Sequence, residues 1–204
     1  MLKSKLAAAT AAVALVMGAP AAFAEEGAND GGFYVSAGGG INWISDMKNN
    51  GLTLDLESGA TYAASVGYDF GENASGGAFR VEAEYSRTKN DLGSISNGVT
   101  SVSLSGDLTQ NLYMVHLIYD FWANDTFTPY VGVGAGVADI EVSATAAGVT
   151  STGSNTEEAY RGLVGVTADV SENFALDLGF RFTSVETPES TENSAIVGKV
   201  RFTF

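Results

Sequence analysis

The stretch Phe79-Arg80-Val81-Glu82-Ala83-Glu84-Tyr85 alternates apolar and charged residues without a break. Successive side chains of a β-strand point to opposite faces, so this pattern predicts a strand with one apolar face and one ionic face. An amphipathic helix would combine apolar residues at spacings of three and four, whereas here every second residue is apolar.

The same period of two recurs on both sides of this stretch. Further alternating runs occupy residues 33–43, 61–70, 112–121, 127–141, 160–169, 174–183 and 196–204. Each predicted strand has about ten residues, the length that a tilted strand needs to cross a bilayer. The connections over 71–77, 123–126 and 170–173 are short, and those over 44–59, 89–109, 142–157 and 184–194 are long and polar. Alternating short and long connections predict an all-β fold, an eight-stranded antiparallel up-and-down transmembrane β-barrel.

Side-chain volume predicts which face of the sheet points inward. The apolar face carries rings and branched chains, whereas the opposite face is rich in small residues such as Ser36, Gly38, Gly67 and Gly179. Eight strands enclose a lumen that side chains alone fill, so the small and polar face fits inside and the bulky face meets lipid. A soluble barrel would instead pack residues such as Val66, Leu178 and Val200 at its centre.

Aromatic residues cluster at the predicted strand ends, as in the two interfacial belts of membrane barrels. One set comprises Phe33, Phe70, Phe79, Phe121, Trp122, Phe127, Phe174, Phe202 and Phe204, and the other Trp43, Tyr62 and Tyr160. Ordinary strand propensity is the alternative explanation. Because lipid offers no hydrogen bonds, the sheet must close, and we expect the strand of Phe204 to pair with that of Phe33.

The amino-terminal residues have the three parts of a secretory signal peptide. Lys3 and Lys5 precede an uncharged Ala-rich run, and a small-x-small site ends at Ala24 before Glu25. We therefore expect a signal peptide over 1–24 and a barrel domain over 25–204.

Composition excludes several classes of protein. The formal net charge is −14, and removal of Lys3 and Lys5 would make it −16, which argues against nucleic-acid partners. With no cysteine in the chain, neither a disulfide framework nor a lipid anchor is expected.

The segments Leu176-Asp177-Leu178-Gly179-Phe180-Arg181-Phe182 and Phe202-Thr203-Phe204 resemble segments of the OmpA/opacity-like outer-membrane β-barrel family, as do residues 33–38, 79–85, 118–121 and 128–136. The resemblance implies location in the outer membrane of a Gram-negative bacterium, with the long loops extracellular. It also implies that Phe204 is an assembly signal for the barrel-assembly machinery.

Charged residues on the predicted lumen face form the main candidate site. They are Arg80, Glu82, Glu84, His116, Asp120, Arg161, Asp177, Arg181, Lys199 and Arg201. Depth matching pairs Arg80 with Asp120, Glu84 with His116, and Asp177 with Arg201 across strands. We interpret the set as an ionic plug; the alternative is a narrow ion-selective pore.

No catalytic residue, cofactor or metal site is predicted. His116 is the single histidine, which excludes a histidine cluster, and the acidic loops lack metal-ligand spacing. The sequence favours a structural and surface-interaction protein for envelope integrity, adhesion or antigenic exposure. A small channel is the alternative, and a lipid-A-modifying enzyme is the remote alternative. Expected partners are outer-membrane lipid and lipopolysaccharide, the assembly machinery, and a host or extracellular ligand of the loops.

Overall fold

The computed structural model describes residues 31–45, 47–49, 52–96, 101–103, 105–123, 126–146, 149–186 and 191–204. The predicted signal peptide and its cleavage site at Ala24 and Glu25 lie outside these residues. No helix among the described residues has the length and apolar character to span a membrane.

Eight long antiparallel strands form one closed barrel, as the alternating pattern predicts. Each strand pairs with the next in the chain, and the last pairs with the first. The backbone N–H of Phe204 donates to the carbonyl of Phe33 at 3.0 Å, so the last strand and the first complete the barrel. The strands are β1 (Phe33–Ile44), β2 (Gly59–Glu72), β3 (Ala78–Ser96), β4 (Ser105–Asp120), β5 (Phe127–Ala146), β6 (Val149–Asp169), β7 (Phe174–Val185) and β8 (Thr191–Thr203).

The two rims of the barrel differ. The short-turn rim carries the connections over 73–77, 121–126 and 170–173 together with Gly31 and Phe204, the first and last described residues, and the long-loop rim carries the other connections. Three short strands extend the sheet at the long-loop rim, namely Met47–Asn49, Leu52–Leu56 and Ser101–Ser103.

Several strands are longer than predicted, with β6 reaching 21 residues. The predicted loop over 142–157 is wrong, because β5 and β6 continue as one hairpin until Ala146 pairs with Val149. Apolar alternation stops where the outer face meets water, but Thr, Ser and Val still suit a strand, so the backbone ladder continues without that signal.

The bulky residues point outward. Leu178 is 56 % exposed and Val200 is 51 % exposed, whereas Tyr34, on the small and polar face, is 1 % exposed. This arrangement excludes the soluble alternative, which required these aliphatic residues at the centre. Rings contact one another along the short-turn rim, for example Phe174 with Phe202, whose centroids lie 5.0 Å apart. Nearer the long-loop rim, the ring centroids of Tyr85 and Tyr113 lie 5.2 Å apart.

Candidate functional site in the barrel lumen

The ten charged residues predicted for the lumen all lie on its inner face. Nine of them are buried, and Arg201 is half-buried. The alternation of each strand positions them: on β3, Arg80, Glu82 and Glu84 point inward while the residues between them point outward.

The carboxylate of Glu84 joins opposite walls of the barrel. Arg181 on β7 donates from Nη1 to Oε1 at 2.7 Å and from Nη2 to Oε2 at 2.8 Å. Arg161 on β6 donates from Nη1 to Oε1 at 2.8 Å, and its Nε donates to Thr183 Oγ1 at 2.9 Å. The neighbours of β3 in the barrel are β2 and β4, so both arginines reach Glu84 across the lumen rather than along the sheet.

Glu82 accepts a second set of contacts across the lumen. Lys199 on β8 donates from Nζ to its two carboxylate oxygens at 2.9 and 3.1 Å, and lies 3.5 Å from Oε2 of Glu84. The hydroxyl of Tyr34 on β1 donates to Glu82 at 3.2 Å, and Nδ1 of His116 on β4 lies 3.6 Å from the same carboxylate. The two glutamates therefore connect β3 with β1, β4, β6, β7 and β8.

A separate ion pair lies nearer the short-turn rim. Arg80 donates from Nε and Nη2 to the two oxygens of Asp120 at 2.5 and 2.7 Å. Its guanidinium carbon also lies 5.7 Å from the ring centroid of Tyr34 and 5.4 Å from that of Tyr130. Two-pronged pairing with Asp120 and contacts with two tyrosine rings stabilise a charge that would otherwise be costly to bury.

The structure brings Arg80 and Asp120 together, but two of the predicted pairs have the wrong partners. His116 lies opposite Glu82, while Glu84 lies opposite Met114. The predicted pairing of Glu84 with His116 is shifted by two residues along the strand. Neighbouring strands of a barrel are staggered, so residues at equal distances in sequence from the rim do not lie at the same level.

Asp177 and Arg201 also have other partners. Asp177 lies opposite Lys199 and accepts a hydrogen bond from Thr167 Oγ1 at 2.5 Å. Arg201 lies opposite Ala175, and its nearest carboxylate is that of Asp169 at 3.8 Å. Stagger again accounts for the difference.

A layer of buried Asn and Gln side chains, on the long-loop side of the charged residues, was not predicted. Asn42 donates from Nδ2 to Asn90 Oδ1 at 3.0 Å, and Asn193 donates to Gln110 Oε1 at 3.2 Å. These four side chains come from β1, β3, β4 and β8. In the sequence, these residues alternate with outward-facing residues near the ends of the predicted strands, where apolar residues become fewer.

Apolar side chains fill the lumen towards the long-loop rim. Two clusters form there, one of Ile44, Leu92 and Leu108 and the other of Leu112, Met114, Ala138, Ala159 and Val185. The mixed inner face of β4, where Leu112 and Met114 precede His116, was the signal available in the sequence. Amide and apolar layers therefore lie between the charges and the long-loop rim.

One group of residues has the composition of a metal site. Ligand atoms of Glu82, Glu84 and His116 lie within 4.8 Å of one another. The two carboxylates already accept contacts from Arg161, Arg181 and Lys199, so a divalent cation would have to displace those groups and meet their positive charge. The arrangement fits an internal ion-pair network better than a metal centre.

Comparison with solved structures identifies the same fold in small outer-membrane proteins. Neisserial surface protein A matches with 24 % identity and a TM-score of 0.60, over 88 % of this chain and 100 % of that one. Outer membrane protein OprG of Pseudomonas aeruginosa matches with 15 % identity and a TM-score of 0.58, over 87 % and 99 %. Ail, the attachment invasion locus protein of Yersinia pestis, solved in complex with the heparin analogue sucrose octasulfate, matches with 17 % identity and a TM-score of 0.55, over 85 % and 99 %.

An outer membrane enzyme, PagL, also has this fold, so the fold alone does not separate surface proteins from enzymes. No curated protein sequence matches the chain. The model of the family described as outer membrane protein beta-barrel domain matches residues 9–204. The chain belongs to this family, and it is a closed eight-stranded β-barrel of the bacterial outer membrane.

Proposed function

We propose that this protein is a sealed surface barrel whose long-loop rim faces the exterior of the cell and makes contacts there. The observation that carries the proposal is the pairing of Glu84 with Arg161 and Arg181 across the lumen. A side chain held from opposite walls occupies the space that a solute would need.

The remaining lumen contents support a sealed barrel. Gln110 and His116 are 0 % exposed, and Leu108 and Leu112 are 2 % and 1 % exposed. A conducting pore requires a continuous wetted path, and eight strands leave little room beyond their own side chains. The competing proposal, a narrow channel, requires the ion pairs and the apolar layer to separate.

Conductance in planar bilayers tests the sealed lumen. The folded wild-type barrel, verified by its faster gel migration without heating, is expected to give no stable conductance steps. A triple variant, Glu84→Ala with Arg161→Ala and Arg181→Ala, removes the side chains that cross the lumen and is expected to leak more than the wild type. Reproducible steps from the folded wild type would refute the sealed-barrel proposal.

The charge of the long-loop rim suggests the kind of partner it contacts. Exposed or half-buried acids there are Glu57, Asp91, Asp107, Asp139, Glu141, Glu157, Glu158, Glu186 and Glu192. The net charge of these acids favours basic partners, such as cationic segments of host or matrix proteins, over soluble polyanions. The preference would differ from that of Ail, which was solved with a polysulfated ligand.

Binding to immobilised ligands tests this preference. Nanodisc-embedded barrel is expected to bind polylysine and not heparin, and Glu186→Gln with Glu192→Gln is expected to weaken polylysine binding. Glu172→Gln, which removes an exposed acid at the short-turn rim, is the matched control and is expected to leave binding unchanged. Stronger binding to heparin than to polylysine would contradict the proposal.

We also propose that the protein is not an enzyme. His116, the only histidine, is fully buried beside Glu82 in the lumen and does not reach the lipid-facing surface. Mass spectra of lipid A from cells expressing the wild type and His116→Ala are expected to match those of cells without the protein. A modified lipid A species that requires His116 would support the enzymatic alternative.

A further inference from the structure

Among the described side chains, the outward-facing positive charges lie in one place. Among the side chains that the structure describes, five of seven Lys and Arg residues point into the lumen. The other two, Arg87 and Lys89, are exposed on the outer face of β3. They are two residues apart and therefore point in the same direction.

These two cations lie just beyond the aromatic belt near the long-loop rim. Arg87 lies opposite Tyr62 on β2 and Asn111 on β4, and it follows Tyr85 by two residues. At about 3.3 Å per residue along a strand tilted by about 40°, the Arg87 backbone is about 5 Å further from the membrane centre than that of Tyr85. Interfacial tyrosines mark headgroup depth, so Arg87 lies at the level of the charged groups of the outer lipid leaflet.

The two cations differ in their protein partners. Lys89 Nζ lies 3.5 Å from Asp107, in a pair whose side chains are 56 % and 34 % exposed. Such an exposed pair contributes little and leaves Lys89 free to exchange partners. Arg87 makes no ion pair with any residue that the structure describes, so its guanidinium is available to a ligand.

Neighbouring groups suit a phosphorylated ligand with an apolar body. Tyr85 donates its hydroxyl to Oδ1 of Asn111 at 3.0 Å, so this hydrogen bond leaves the amide N–H groups of Asn111 as donors for a ligand. Tyr62, 67 % exposed, provides a ring beside Arg87. A guanidinium binds phosphate through two parallel hydrogen bonds, and the ring can pack against the apolar or sugar portion next to the phosphate.

We propose that Arg87, assisted by Lys89 and Asn111, binds a phosphate group of the lipid A part of lipopolysaccharide on the outer face of the barrel. The assignment to lipid A rests on the proposed function, since it requires the long-loop rim to face the exterior. A glycolipid with two phosphates carries more negative charge than a phospholipid with one, which favours the glycolipid beside two adjacent cations. The barrel then carries a bound lipid on the β2–β4 side that helps set its depth and orientation.

Native mass spectrometry of the folded barrel in detergent micelles tests the site. Diphosphoryl lipid A, dephosphorylated lipid A and phosphatidylglycerol are titrated separately against the wild type. We expect the wild type to retain diphosphoryl lipid A in preference to the other two, and Arg87→Gln to weaken that binding about tenfold, the value of one charge-assisted hydrogen bond. Arg87→Lys should recover part of the affinity, Lys89→Gln should lose less than Arg87→Gln, and Glu172→Gln at the other rim should bind as the wild type does.

Three outcomes would overturn the proposal. Equal binding by the wild type and Arg87→Gln would remove Arg87 from the site. Equal binding of dephosphorylated lipid A would exclude phosphate recognition, and equal binding of phosphatidylglycerol would replace lipopolysaccharide with a general phospholipid. Arg87 is exposed and outside the lumen network, so folding of the variants is checked by gel migration, and the conductance result for the sealed lumen is independent of this test.

Discussion

Replacement of Glu84 by Gln removes the charge that holds three cations in the lumen. Its Oε1 accepts hydrogen bonds from Arg161 at 2.8 Å and Arg181 at 2.7 Å, its Oε2 accepts one from Arg181 at 2.8 Å, and Lys199 lies at 3.5 Å. In Glu84→Gln one acceptor becomes an NH₂ donor that faces an arginine N–H. Breaking a buried pair in this way costs about 3–5 kcal/mol, because the remaining charges stay buried without compensation.

Equilibrium urea unfolding in lipid vesicles measures this loss. Trp43 and Trp122, the two tryptophans of the chain, report the transition, since both are exposed on the outside of the barrel. Glu172→Gln is the surface control and is expected to leave the free energy of unfolding unchanged. Glu84→Gln combined with Arg181→Gln should be less destabilised than the sum of the two single variants, because the pair is removed together. A loss below about 1 kcal/mol for Glu84→Gln, the range of surface pairs, would refute the idea that these contacts hold the walls together.

Three further changes test other parts of the fold. Leu178→Arg, at the middle of the outer face of β7, should reduce the free energy of unfolding in vesicles by about 2–4 kcal/mol, with Leu178→Phe as the control that keeps an apolar group in lipid. Gly134→Ala should lower stability in the same assay, because a Cβ at this position would collide with the His116 ring; wild-type stability would mean that the ring moves freely. Deletion of Phe204 should lower the amount of barrel in outer-membrane fractions of cells while refolding in detergent is retained, and equal amounts in cells would contradict its role as an assembly signal.

The sequence predicted the lumen residues better than their partners. Alternation on β3 places Arg80, Glu82 and Glu84 on one face, and this follows from strand geometry alone. The partner of Glu84 could not be found in this way, because Arg161 and Arg181 are 77 and 97 residues away and reach it across the lumen. Such contacts depend on barrel closure, stagger and side-chain length together, and none of these is a local property of the chain.

On the long-loop side of the barrel, too, local sequence patterns did not predict the structure. Residues 142–157 have the composition of a loop, yet they pair as a hairpin because neighbouring strands provide the hydrogen bonds. Arg87 and Lys89 belong to a polar stretch without an evident role until the register places Arg87 beside Tyr62 and Asn111.

Strand number, the order of short and long connections, and the outward direction of the bulky residues were readable from the chain alone. They depend on a period of two and on side-chain volume, which are local properties. The pairing of individual charges, the apolar and amide layers of the lumen, and the position of the two outer cations emerged only in the folded barrel. Each of these depends on which residues of distant strands share a level, and that is set when the eighth strand pairs with the first.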